Sequence, residues 1–450
     1  MRDLVVGLVS NPVIVISSGI FVVLFSMLVL AWTNKSKKNL EQLEFCFIVF
    51  IFFCLTPINL TPFIHWRPNY FWVPPPNAIL SSFQVLIYAY ILLVSRKKLS
   101  AFLIRELIPY LRCSIIRNPF FWGLSFLGVA SSFWSETPLI TFKAGLILLI
   151  ANLSFLAICK YSDFWQISTF VRWSAVPIAI LSFIIRRKTN DGTTAGGGLA
   201  GILFSKNELG ALMAISIILW VLTAIYVPKA RLFSCLISIV FTLLLIQAKS
   251  GGAIVHLFIL FLLILAVQFT KKLRDKVAVL NIIFCILVAC IAFSFTITNL
   301  GFILQRFLGK DLSFTGRTNI WPPVWDAVTH RMWTGYGLHG FWQEWRGANN
   351  PALDWYKGFW YPPNAHFGFL DAWVQLGAFG VLILITAILL SVFQAVSYLI
   401  RSKCKQAVIP IFFVTYFILA NLSETRLLDF NFVWVTYSIT SIKLSLESNT

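Results

Sequence analysis

The sequence predicts an all-α fold: a polytopic integral membrane protein of about 12–13 transmembrane helices, with one long extracytoplasmic loop between two late helices. Three observations carry this. Of 450 residues, 58% are hydrophobic and 12% charged, and the mean hydropathy is +0.83. Apolar runs repeatedly exceed the roughly 18 residues that a bilayer crossing needs. Short basic clusters recur between alternate pairs of these runs, as expected if cytoplasmic loops carry the excess of Lys and Arg.

The first run, 12–32, is longer than a signal-peptide core and passes into "NKSKK" with no small-residue cleavage site, so it is expected to stay as an anchor. Further runs lie at 45–64, 78–95, 119–134, 138–159, 164–185, 199–226, 231–248, 251–270, 277–298, 367–398, 408–422 and 430–446. The seventh and the eleventh begin among polar residues and are expected to open with turns that do not span. Basic clusters at 34–38, 95–98, 228–231, 271–276 and 401–405 then share one side, the cytoplasm, which puts the C-terminus inside. The chain reads as two parts: 1–118, N-terminal transmembrane helices with a basic cytoplasmic segment, and 119–450, a membrane domain that includes an extracytoplasmic loop at about 299–366.

Composition removes several classes. The net charge of +19 is scattered in short clusters between spans, and no nucleic-acid-binding module is recognisable, so no nucleic acid is expected as a partner. Eight cysteines include no CxxC pair, which supports neither a disulfide frame nor a metal site. Walker loops and HExxH are missing too. The long loop holds Trp321, Trp325, Trp333, Trp342, Trp345, Trp355 and Trp360. That density argues against disorder and suits either the headgroup level of a bilayer or an aromatic-lined surface for sugars.

Against the positive-inside expectation, the opposite face receives Arg186, Arg187, Lys188, Lys206, Lys249, Arg317, Arg331, Arg346, Lys357 and Arg426, with Lys143 just inside the fifth span. Lys143, Lys206 and Lys249 sit beside or within apolar sequence, where an ammonium needs a partner. In "QAKSGG", 247–252, a span ends at Lys249, Ser250 and Gly251 follow, and another span starts at once. Such a turn either serves only as a hairpin or presents the N–H groups of a helix start, beside a lysine, to a phosphate. "FSKNELG", 204–210, repeats the design with Lys206, Asn207 and Glu208. His366 and Asp371 of "NAHFGFLD", 364–371, and Glu424 and Arg426 of "NLSETRLL", 421–428, fall on the same face. A histidine there is either a structural helix-start residue or a base.

These stretches, with "GRTNIW" at 316–321 and "RMWTGYGLHGFW" at 331–342, resemble the O-antigen ligase and polymerase superfamily in content and order, from about residue 119 to the end. The lysine-bearing turns look most like the exopolysaccharide polymerase branch. The family's usual "AHN" reads Ala365-His366-Phe367 here, without the side-chain amide. The resemblance implies a metal-independent, inverting glycosyltransferase without a cofactor, multi-pass in the bacterial cytoplasmic (inner) membrane, active on the extracytoplasmic face in O-antigen or exopolysaccharide biosynthesis. Its partners would be a polyprenyl-pyrophosphate-linked saccharide donor, a glycan acceptor and the lipid bilayer, with a chain-length regulator and a flippase as neighbours. His366 would take the proton of the acceptor hydroxyl, and Arg317 and Lys249 would stabilise the leaving pyrophosphate. Lys206, Asn207, Ser250, Gly251, Glu424 and Arg426 would bind substrate. Two readings stand beside polymerase: a ligase that passes the glycan to lipid A core or another acceptor, and a transporter or flippase for an anionic lipid-linked solute. A transporter site belongs near the bilayer midplane between repeats, whereas these cations gather at span ends and no internal repeat is evident.

Overall fold

The computed structural model describes residues 106–186, 188–189, 197–270, 317–343, 364–402, 404–429 and 431–447. Four expected spans, 12–32, 45–64, 78–95 and 277–298, lie outside these residues, as do the clusters at 34–38, 95–98 and 271–276 and much of the long loop. The described chain is mostly helical: α1 Leu107–Arg117, α2 Pro119–Ala130, α3 Pro138–Tyr161, α4 Phe164–Ile185, α5 Lys206–Tyr226, α6 Arg231–Ala248, α7 Gly251–Thr270, α8 Arg317–His330, α9 Gly368–Arg401, α10 Ile409–Ser423 and α11 Phe432–Glu447. A two-stranded antiparallel hairpin, Lys188–Thr189 with Gly198–Leu199, occupies the expected loop before α5. Seven helices among the described residues are long and apolar enough to cross a membrane. The chain is an all-α polytopic membrane protein.

Local signals set the helix limits. Pro119 and Pro138 stand where a missing N–H costs nothing. Asp163 and Gln166 close a capping box at the start of α4, and Ser205 and Glu208 close another at the start of α5. The second box explains why the expected run 199–226 does not begin as helix: residues 199–205 form strand and turn, and the span starts at Lys206.

The helices pack around α10, whose apolar stretch is the most enclosed of the seven. It lies against α9 and α11, and Phe417 stacks on Tyr437 with ring centres 3.9 Å apart. Since lipid is as apolar as a core, specificity comes from small polar contacts between helices. Asn118 donates to Ser441 Oγ at 2.7 Å, and Ser391 and Ser441 share a hydrogen bond at 2.9 Å. Leu232, Leu236, Ile239, Leu243 and Ile246 of α6 remain outward, as a lipid-facing stripe should.

The eleventh expected span, which was to open with a turn that does not span, is helical from Gly368 but breaks at Gly377, whose φ of 67° and ψ of −173° suit only glycine. The break strands backbone groups, and a distant segment satisfies them. Tyr336 and Gly337 N–H donate to the carbonyls of Val374 and Gln375 at 2.9 and 2.8 Å, and Ala378 N–H donates to the Met332 carbonyl at 2.8 Å. Close approach is obligatory here: a Cβ on Gly377 would lie 2.2 Å from Trp333 backbone atoms. Irregular backbone in a membrane protein survives where other protein answers it.

Candidate active site

Five chain segments meet at one end of the bundle: the first turn of α5, the Lys249–Ser250 turn between α6 and α7, the loop before α9, the start of α8 and the loop after α10. The first connection is a chain of side chains. His366 Nδ1 lies 2.7 Å from Glu424 Oε2. The other oxygen of Glu424 accepts from Asn207 Nδ2 at 2.8 Å, and Asn207 Oδ1 accepts from Ser250 Oγ at 3.1 Å. A carboxylate oxygen accepts, so the Nδ1–H tautomer of His366 is the one that makes this a hydrogen bond to ionised Glu424. His366, Glu424, Asn207 and Ser250 were separate candidates in sequence; the fold joins them.

His366 is held in a left-handed conformation, φ 50°, which histidine tolerates better than most residues. Its N–H donates to Asn364 Oδ1 at 3.0 Å. The preceding residue is pinned on both sides: Ala365 N–H donates to Asp371 Oδ1 at 3.0 Å, and Trp321 Nε1 donates to the Ala365 carbonyl at 3.0 Å. Asp371 also accepts from Trp342 Nε1 and Gln375 Nε2, both at 2.7 Å. It is therefore a scaffold for the histidine loop.

Trp321 ties α8 to that loop, so the backbone of Arg317, one helical turn earlier, starts the helix docked against His366. The Arg317 side chain lies outside the described residues. The loop tryptophans divide. Trp321 and Trp342 are hydrogen-bonded inward, whereas Trp325 and Trp333 are exposed, Trp333 packed on the exposed Phe379, as fits a bilayer interface.

Lys249 caps α6 in a left-handed conformation, φ 52°, and is exposed. Ser250 is buried behind it, and its carbonyl accepts from Ile254 N–H at 3.2 Å. A Cβ on Gly251 would meet nothing within 4 Å, so the start of α7 opens onto space. The stem of Lys206 runs past Gly198 toward the Ala248 carbonyl: a Cβ there would lie 2.8 Å from Lys206 Cδ and 2.0 Å from Ala248 oxygen. Both lysines thus flank one turn.

Arg426 takes a different position from the one expected. Its Nη1 meets Glu208 Oε1 at 3.2 Å, with side chains 12% and 17% exposed. Burial alone would lower the guanidinium pKa, but Glu208 and Glu424 outweigh it and hold Arg426 above its ordinary value. Glu208 also accepts from the Phe204 and Ser205 N–H groups. Glu208, named in the sequence beside Lys206 and Asn207 but given no role at the site, is thus both the helix cap that the S-x-x-E spacing announces and the partner of Arg426. Of the other cations expected on the outer face, Arg331 pairs with Glu136 at 2.5 Å and Lys143 is exposed on α3. Among the described residues, no three His, Cys, Asp or Glu side chains gather as a metal site.

A search of the curated proteins finds no match. Residues 233–385, which hold the Lys249–Ser250 turn, Arg317 and His366, match the family described as O-Antigen ligase. Lys206, Asn207, Glu424 and Arg426 lie outside the matched segment, yet Asn207 bonds to Ser250 and Glu424 to His366 within it. This segment of the membrane chain is thus similar to the O-antigen ligase family, which supports the resemblance to the O-antigen ligase and polymerase superfamily.

Proposed function

We infer that the chain is a membrane glycosyltransferase that polymerises polyprenyl-pyrophosphate-linked oligosaccharide units on the extracytoplasmic face, by inverting displacement and without a metal. The observation that carries this is the His366–Glu424 pair at 2.7 Å, set beside the lysine-flanked start of α7. In the displacement, the acceptor hydroxyl oxygen bonds to the anomeric carbon as the bond from that carbon to the phosphate oxygen breaks. The hydroxyl proton passes to His366 Nε2, and Glu424, facing Nδ1–H, stabilises the imidazolium that forms. The electron pair leaves with the pyrophosphate. Lys249, Lys206, Arg317 and the backbone N–H groups at Gly251 are the stabilisers for that charge. Asn207, Ser250 and Arg426, expected to bind substrate, fit better as residues that position Glu424.

The test separates binding from transfer in purified full-length protein. His366→Gln should bind the lipid-linked donor as wild type does but extend chains about 10² to 10⁴-fold more slowly, the usual worth of a placed general base. Lys249→Ala should lose transfer by about 10²-fold and Lys249→Arg less, since charge survives. Normal extension by His366→Gln would remove the histidine from the reaction. Transfer of the glycan to a single lipid A core or other acceptor, without chain growth, would make the enzyme a ligase.

A further inference from the structure

At the end of the bundle opposite His366, α4 carries Arg172, only 7% exposed. Its Nη1 donates to Thr223 Oγ1 at 2.7 Å, and the guanidinium carbon lies 5.1 Å from the Trp220 ring centre and 5.6 Å from that of Trp165. No carboxylate pairs with it among the described residues. Nε of Arg172 and Nε1 of Trp220 are both enclosed donors with no acceptor. With Nη1 engaged by Thr223, the edge available to a second partner runs from Nε to Nη2, and that fork is the one that grips phosphate by two parallel bonds. A buried cation without a counter-charge is costly, and an ionisable residue within a span marks a site by default.

The surroundings name the anion. Lys405 Nζ stands 4.6 Å from the Trp165 ring centre, and Arg231 Nε donates to the Ala224 carbonyl at 3.3 Å, so further cations lie nearer the helix ends. Arg172 is about 12 Å along α4 from its start, and Thr223 about 4.5 Å from the end of α5, so both lie in the half of their spans nearer this end of the bundle. Beside the donors, Phe233 is 48% exposed, packs on Trp173 and Trp220, and continues into the outward Leu232 and Leu236. Donors for an oxyanion therefore adjoin ground for acyl chains.

We propose that Arg172, Trp220 and Lys405 form a binding site for a phosphate oxyanion, supplied by the headgroup of an anionic phospholipid in the leaflet at this end. The site is separate from the His366 cluster and stands whatever that cluster does. A basic recess between spans is the form that headgroup sites take.

Full-length protein in detergent is titrated with phosphatidylglycerol, phosphatidylcholine or inorganic phosphate, with thermal unfolding and native mass spectrometry as readouts. Phosphatidylglycerol should be retained and should raise the unfolding temperature more than either alternative. Its apparent affinity should fall about tenfold in Arg172→Met. Trp220→Phe, which keeps a ring but loses the donor, and Lys405→Ala, at an exposed position, should each weaken it severalfold and keep the comparison alive if Arg172→Met does not fold. Unchanged phosphatidylglycerol affinity in both of these variants would overturn the site. Stabilisation by inorganic phosphate that phosphatidylglycerol does not match would overturn the lipid as its source.

Discussion

His366 and Asp371 stand five residues apart at the mouth of one apolar run, yet they belong to different kinds of network. Around His366 the bonds are side chain to side chain, they cross three other chain segments, and the pair keeps access, with His366 20% and Glu424 14% exposed. Around Asp371, which is 2% exposed, the carboxylate gathers a backbone N–H, an indole and an amide from its own neighbourhood. A polar group in apolar sequence thus has two distinct causes. One joins accessible titratable groups from several segments, as the proposed transfer needs, and the other repairs backbone where a helix is interrupted. Exposure and the type of partner tell them apart.

The sharpest way to break this contrast is at Asp371. Asp371→Ala leaves three donors at a buried spot without their acceptor, and each orphan costs about 1–3 kcal/mol. Folded protein extracted in detergent should therefore fall steeply, with a drop in unfolding temperature to match. His366→Gln should show neither loss. A variant of Asp371 that folds normally yet fails to transfer would move that carboxylate into the chemistry and erase the distinction.

A smaller effect sharpens the other side. Glu424→Gln keeps the shape and still offers Asn207 an acceptor, but it removes the negative charge beside His366 Nδ1. Transfer should drop by about 10²-fold, while the unfolding temperature stays near that of wild type. If Glu424→Gln extends chains normally, the carboxylate belongs with Asp371 as scaffold and the histidine works without an orienting partner.

The contrast also marks what the sequence could disclose. Hydrophobic length and basic clusters placed α4 at 164–185, α6 at 231–248 and α7 at 251–270 as the structure has them, because each span is a local apolar property. The break at Gly377 was hidden. Its backbone is answered by Met332, Tyr336 and Gly337, some forty residues away, and nothing around "QLGAFG" records them. The side of the bundle shared by Lys206, Lys249, His366 and Glu424 followed from counting spans. Their pairing did not, because which oxygen of Glu424 faces which residue depends on how α5, α7 and α10 pack. Arg172 had a plain signal, a charge within an apolar run, but it lay away from the motifs that drew notice.

The smallest effect concerns the second ion pair of the site. Arg426 is held above its ordinary pKa, burial being outweighed by Glu208 and Glu424. A cationic group raised in the folded state contributes stability that is present below its unfolded pKa and lost only as pH rises through the folded one. For arginine that window lies above about pH 12, so between pH 6 and pH 10 the titration of Arg426 should leave stability unchanged. Arg426→Lys keeps the charge, loses the planar fork toward Glu208, and should cost about 1 kcal/mol at neutral pH. Because lysine ordinarily titrates near 10.4, the variant should lose further ground toward pH 10 where wild type does not. Unfolding temperatures of the two proteins across that range make the check. Parallel curves would show that the Glu208–Arg426 contact contributes nothing from its charge, and would leave Glu208 as a helix cap alone.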